Sequence, residues 1–281
     1  MDWYRETLYP EVSQSFKVER IIHREKTEHQ DLVIFENKAM GRVLALDGVI
    51  QTTEGDEFFY HEMMGHVPLI AHGAAKRALI IGGGDGGLLE EVLKHRGLEQ
   101  VVMVEIDPHV IELSKKYLPS IPGAAFEDAR AEIVIADGAT FVAETEERFD
   151  VVMVDSTDPH GPGEVLFTSE FYGNCKRCMN PGGIMVTQNG VPFFQPEELS
   201  TSWKRLTPVF PDVSFYVVPV PTYYGGFMTL GWASLDPRYR TTPVHEIERR
   251  IEAAALATKY YNAAIHQACF ALPNYARARL R

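Results

Sequence analysis

The spacing of apolar residues divides the chain in two. Up to about residue 70 they fall in short runs that read as strands. Phe16 to His23, Leu32 to Glu36 and Arg42 to Leu46 are three of these. Asp47-Gly48 is a hairpin turn, and Val49-Ile-Gln-Thr-Thr53 is its return strand. Residues 1–70 are therefore expected to hold a small antiparallel β domain, which would pack on the rest of the chain or on a second copy because so small a unit buries little alone. Asp56 to Ala71 carries a helical pattern that ends near His72-Gly73.

From residue 71 to 281 short buried-strand runs alternate with helical stretches. Strands are expected at Ala78–Ile81, Val101–Glu105, Ile133–Ala136, Val151–Asp155 and Ile184–Gln188, with a helix at Leu88–His95 after the first. That alternation predicts a parallel α/β sheet with helices on both faces. Ser214–Pro219 and Phe227–Ser234, joined by a Pro/Tyr/Gly loop, predict an antiparallel hairpin at one edge. About seven strands with such a last hairpin describe the methyltransferase-like Rossmann class. Pro243 to Lys259 has a helical pattern, whereas Tyr260 to Pro273 is aromatic and has no definite period.

Candidate chemistry begins after the first parallel strand. Gly82, Gly84 and Gly87 make a G-x-G-x-x-G turn between strand and helix, the nucleotide-binding corner of such sheets. Asp85 inside that turn puts a carboxylate where a pyrophosphate would need bare N–H groups. A phosphate is repelled there and a cation attracted. Further acids and amides close the later strands at the same edge: Glu105, Asp137-Gly138, Asp155 with Ser156, Thr157 and Asp158, and Gln188. Glu105, about twenty residues past the glycines, stands where a carboxylate accepts ribose hydroxyls. Asp137 can read an adenine edge. As single residues, Asp107 and Asp137 serve equally well as helix caps; five strands delivering polar groups to one edge is more than capping requires.

Composition narrows the partners. A net charge of -12 disfavours nucleic acid and suits a cationic small molecule. The chain has no run of 18 apolar residues, and its polar first residues lack a signal-peptide core, so a cytoplasmic protein without a membrane partner is expected. Three cysteines suggest no disulfide framework. His61-Glu-Met-Met-Gly-His66 imitates a zinc-protease motif, but the second His comes one residue late to share the metal-binding face. Cys175 and Cys178 lack a second pair and read as core filler, so no metal is expected.

Together these stretches carry a family resemblance. Glu28-His-Gln-Asp31, Leu46 to Glu54, Asp56 to Met64, Ile81 to Gly87, Val154 to Pro159, Gly161 to Glu164, Leu166-Phe-Thr168, Pro221 to Gly226 and the Tyr261-Asn262 to Leu272-Pro273 segment resemble the spermidine synthases over nearly the whole length. The resemblance implies aminopropyl transfer from decarboxylated S-adenosylmethionine, a co-substrate rather than a cofactor, to putrescine. It implies that Gln30, Glu105, Asp137, Gly138 and Pro162 hold the methylthioadenosine part and that Asp85 holds the aminopropyl ammonium. Asp155 would be the base. His61, Ser156, Thr157 and Asp158 would hold the amine, with Tyr60, Gln188 and Tyr223 lining its channel and Trp3 at the far end. The Gly and Pro spacing of Pro159 to Phe167 suits a lid that closes over the site, and the assembly would be a homodimer or homotetramer. Rival readings are an S-adenosylmethionine-dependent methyltransferase, a dinucleotide-dependent dehydrogenase and a non-catalytic polyamine binder. Asp85 and the Asp155/Asp158 pair count against the first, Asp85 against the second, and the nucleoside half of the site against the third.

Overall fold

The computed structural model describes residues 2–157 and 161–280. The N-terminal part has two sheets. β1 (Trp3–Arg5) pairs antiparallel with β2 (Ser15–Lys17), and β3 (Arg20–Lys26), β4 (Asp31–Asn37), β5 (Gly41–Leu46) and β6 (Val49–Thr53) form a four-stranded meander. The single strand expected over Phe16–His23 is thus two. At Val18 and Glu19 the chain changes partners: Val18 N–H bonds to Asp2, and Glu19 N–H to Glu36 on β4. In β4, Leu32 and Ile34 face Val110, Leu113 and Leu118, whereas Val33 and Phe35 face Tyr4 and Val18. Both faces of this small sheet are covered, the first by residues 110–121 of the larger part of the chain.

α1 (Glu57–His72) connects the two parts, and its C-cap Gly73 adopts the left-handed conformation that closes the helix. The main sheet follows: β7 (Arg77–Gly82), β8 (Gln100–Glu105), β9 (Ala131–Ile135), β10 (Phe149–Asp155), β11 (Met179–Asn189), β12 (Asp212–Val218) and β13 (Met228–Ser234), in spatial order β12-β13-β11-β10-β7-β8-β9. The five strands from β7 to β11 are parallel, and β13 is antiparallel to both its neighbours. This is the expected seven-stranded sheet with an antiparallel final hairpin. Period-two alternation sorts its two cores. Ala78 and Ile80 of β7 pack with α1 and α2 (Gly87–Leu93); Leu79 and Ile81 pack with α4 (Gly138–Glu144), α5 (Ser169–Arg177) and α6 (Pro196–Leu206). Cys175 and Cys178 are buried thiols in that second layer. α3 (Pro108–Tyr117) lies under the N-terminal sheet.

Two helices are shorter than their sequence patterns. α2 stops at Leu93, before the expected His95. α7 (Val244–Ala254) stops short of Lys259 because Ala255 turns left-handed. The aromatic segment that follows contains α8 (Ala263–Ala268), with α9 (Asn274–Arg277) after it. Its start is anchored by the buried Glu62 carboxylate on α1, which accepts the N–H groups of Lys259, Tyr260 and Tyr261 at 2.6, 2.8 and 2.7 Å.

Candidate active site

The sheet changes direction between β7 and β10. Chain order runs outward from β7 through β8 to β9, then resumes at β10 on the other side. A crevice must open above the carboxyl ends of those two strands. Gly82 and Asp155 are register partners at that point, and Gly83 N–H donates to the Asp155 carbonyl at 3.0 Å. Gly82 is left-handed, and a Cβ there would strike the same carbonyl. The glycine turn is therefore pressed onto the Asp155 strand.

A cavity of about 310 Å³ occupies this crevice. One end is lined by the glycine turn with Asp85, and by His29, Gln30, Glu105, Asp137 and Gly138. Asp155, Ser156, Thr157, Tyr60, His61 and Gln188 follow. The other end is lined by Glu6, Tyr9, Gln51, Thr222, Tyr223, Tyr224 and Gln195. Among the described lining residues there is no Lys or Arg, whereas eight are Asp or Glu. Most of the residues expected from the sequence thus meet in one place. Asp158 lies outside the described residues, as does the start of the expected lid, and the Pro162 side chain is likewise not described. Trp3 does not join them: it is 58% exposed on β1, outside the cavity lining, because the β1–β2 pairing turns its neighbour Tyr4 inward instead.

Asp155 accepts a hydrogen bond from the Tyr60 hydroxyl at 2.8 Å. Burial lifts its carboxyl to about 6, partly opposed by the positive His61 and by that hydroxyl. Glu105 is pushed to about 7 by burial, although it accepts the N–H of Asp107 at 2.9 Å. His61 sits among acids. Its Nδ1 lies 2.8 Å from Glu57 and its Nε2 3.6 Å from Asp85. Burial works against its charge, but Asp85, Glu57 and Asp155 overcome this and raise it to about 10. His61 is an internal imidazolium. Gly87 makes room for its ring, since a Cβ there would collide with it. Asp85 also accepts the Gly87 N–H at 3.0 Å, which fixes the carboxylate inside the turn.

Capping and site duties coincide at two acids. Asp137 accepts the Thr140 N–H at 2.7 Å and caps α4 while lining the cavity. Asp107 caps α3 through His109 N–H and accepts the Gln30 side chain at 2.9 Å, so it orients Gln30 from behind. Several functional positions have no counterpart in the sequence reading. Glu57 is one; its i, i+4 spacing to His61 was the available signal. Asp56 is a second. It makes no cap bond to α1 but binds the Thr53 hydroxyl and both the N–H and the hydroxyl of Thr222, tying β6 to the 219–227 loop. Glu6 is a third, buried at the far end and accepting the Ile50 N–H at 2.9 Å.

A doubly wound sheet whose crevice, among the described residues, is lined by eight acids and no Lys or Arg defines a class of α/β proteins with a site suited to cationic small molecules. Comparison with known proteins narrows the class. The family model described as "Spermine/spermidine synthase domain" matches residues 57–242, and "Spermidine synthase tetramerisation domain" matches residues 2–54. The chain belongs to the spermine/spermidine synthase family and is an aminopropyltransferase. It is 57% identical over 273 residues to the polyamine aminopropyltransferase of Serratia proteamaculans, covering 97% of this chain and 95% of that one. It is 56% identical to polyamine aminopropyltransferase 1 of Pseudomonas aeruginosa, with 98% and 96% covered. Its fold superimposes on a spermidine synthase crystallised with the transition-state analogue AdoDATO at a TM-score of 0.93 and 40% identity, covering 99% and 94% of the two chains. The spermidine synthase of Thermotoga maritima gives 0.90 and 38%, with 99% and 93% covered. No helix among the described residues is long and apolar enough to cross a membrane.

Proposed function

We propose that this enzyme transfers the aminopropyl group of decarboxylated S-adenosylmethionine to putrescine, giving spermidine and methylthioadenosine. The observation that carries this reading is the acid-walled cavity, with Asp155 between its nucleoside end and its far end. Gln30, Glu105, Asp137, Gly138 and Pro162 hold the methylthioadenosine part. The buried Glu105 receives the ribose hydroxyls, and Asp85 receives the ammonium of the aminopropyl arm. The amine lies along Tyr60, Gln188 and Tyr223, with Ser156 and Thr157 beside it and Glu6 near its distal ammonium; the family resemblance gives Asp158 a share in holding it.

In the reaction, the amine nitrogen bonds to the carbon attached to sulfur, that C–S bond breaks, and the sulfonium becomes a neutral thioether. The proton leaving nitrogen goes to Asp155. Freeing an alkylamine lone pair near neutral pH costs about 4–5 kcal/mol. A carboxylate lifted to about 6 is a better acceptor for that proton than an ordinary aspartate. His61, itself cationic, acts through Asp85 and Asp155 by holding them in place. No cofactor is needed, because the sulfonium already activates the carbon. The N-terminal part supports a homodimer or homotetramer: besides its family match, Trp3, Val12 and Ile21 are exposed there.

Incubation with putrescine and either the decarboxylated or the ordinary sulfonium donor tests the reading. Methylthioadenosine and spermidine, found by mass spectrometry with the decarboxylated donor alone, are expected. A methylated amine formed from the ordinary donor would replace the reading by a methyltransferase. Calorimetry checks Asp85, since equal affinity for the two donors would remove its role in discriminating against the donor carboxylate.

A further inference from the structure

The far end of the cavity is closed by Leu8 and by a side-chain pair brought together from far apart in the sequence. The Tyr9 hydroxyl donates to Gln195 Oε1 at 3.1 Å, and the same oxygen accepts the Val191 N–H at 2.7 Å. The Tyr9 ring also packs on Phe194 at 4.7 Å and on Tyr224 at 5.5 Å. A second, more open hollow lies beyond this pair, lined by Phe194, Pro196, Glu197 and Glu198. Leu8, Tyr9 and Gln195 line both spaces, so they form the partition between them. Tyr9 belongs to the connection between β1 and β2, which is strapped over this end of the site. Thr7 N–H binds the Gly48 carbonyl at 3.1 Å, the Tyr224 hydroxyl binds the Val12 carbonyl at 2.9 Å, and the Gln14 side chain reaches the Thr222 carbonyl.

We propose that Tyr9 and Gln195 are specificity-determining residues that stop the enzyme after one aminopropyl transfer by denying a linear triamine the length it needs. This rests on the reaction assigned above. The product, a triamine, fits as it forms because its new aminopropyl unit still lies in the donor half. To act as an acceptor for spermine formation, it must leave and rebind with the terminal nitrogen of its four-carbon arm at the attacking position, so that its three-carbon arm reaches one aminopropyl length beyond where putrescine ends. Its other end is then driven against the Tyr9–Gln195 partition. Removing the partition joins the two spaces and lets the distal ammonium pass beside the Glu197 and Glu198 side chains. The second transfer is the same displacement: the terminal nitrogen of the four-carbon arm of spermidine bonds to the aminopropyl carbon, the C–S bond breaks, the proton goes to Asp155, and spermine and methylthioadenosine leave.

The test compares kcat/KM for spermidine with kcat/KM for putrescine in the full-length enzyme and in Tyr9→Ala and Gln195→Ala, each variant first shown to melt cooperatively. Spermine is quantified by mass spectrometry. The ratio is expected to rise roughly tenfold or more in Tyr9→Ala, the scale on which pockets discriminate by one or a few methylenes. Tyr9→Phe, which loses the hydroxyl but keeps the ring, is expected to rise less. A ratio within about twofold of wild type in both alanine variants, while the wild type still makes spermidine from putrescine, overturns the proposal. A wild type that releases no methylthioadenosine with putrescine would instead overturn the reaction on which it rests.

Discussion

Asp155→Asn is expected to slow the enzyme and stabilise the fold at the same time. Burial holds this carboxyl at about 6 against an ordinary 3.8. Below pH 3.8 it is protonated in both the folded and the unfolded chain and costs nothing. As pH rises, the unfolded chain ionises first, so the folded state loses stability until pH passes about 6, after which the loss is constant. A rise of that size corresponds to about 3 kcal/mol. Asparagine keeps an oxygen for the Tyr60 hydroxyl and removes the charge. The variant should gain about 1–3 kcal/mol near pH 8, a melting increase of a few degrees for a chain of this size, and the gain should shrink toward pH 4. Its turnover should fall by about two to four orders of magnitude. Urea denaturation at several pH values and methylthioadenosine release measure the two quantities. A variant that is less stable near pH 8, or one that turns over within about tenfold of wild type, would refute the reasoning.

Other perturbations follow the same electrostatics. The acid limb of kcat/KM should fall with a midpoint near 6, and Tyr60→Phe should move it upward because the hydroxyl holds the Asp155 carboxyl down. The charge on His61 stabilises the fold fully below about pH 6.5, and this is lost as pH climbs toward 10; Glu57→Gln should flatten that loss in a pH series of denaturation curves. Glu62→Ala leaves the N–H groups of Lys259, Tyr260 and Tyr261 without their carboxylate and should cost about 3 kcal/mol or more, read by urea denaturation. Gly87→Ala should displace the His61 ring and lower turnover with little change in helix content, read by steady-state rates and circular dichroism.

The amino-acid sequence alone determined the architecture and the chemical character of the site. Alternating β-branched runs, the glycine turn and acids at the strand ends are local patterns, and local patterns dictate strands, turns and which edge carries the charge. Asp85 was legible because it sits inside the glycine turn, and Glu105 and Asp155 because each ends its strand. What depended on distant segments was not legible. The strand break at Val18 arises because Val18 bonds back to Asp2 while the next residue, Glu19, already bonds to Glu36 on β4, and the early end of α7 comes from the left-handed Ala255. The exposure of Trp3 follows from a three-residue pairing with too little periodicity to read. The charge of His61 and the raised carboxyls of Asp155 and Glu105 belong to the tertiary structure, because desolvation and Coulomb energy depend on which residues are brought within a few ångströms, and residues 57, 61, 85 and 155 meet only once α1 lies across the ends of β7 and β10.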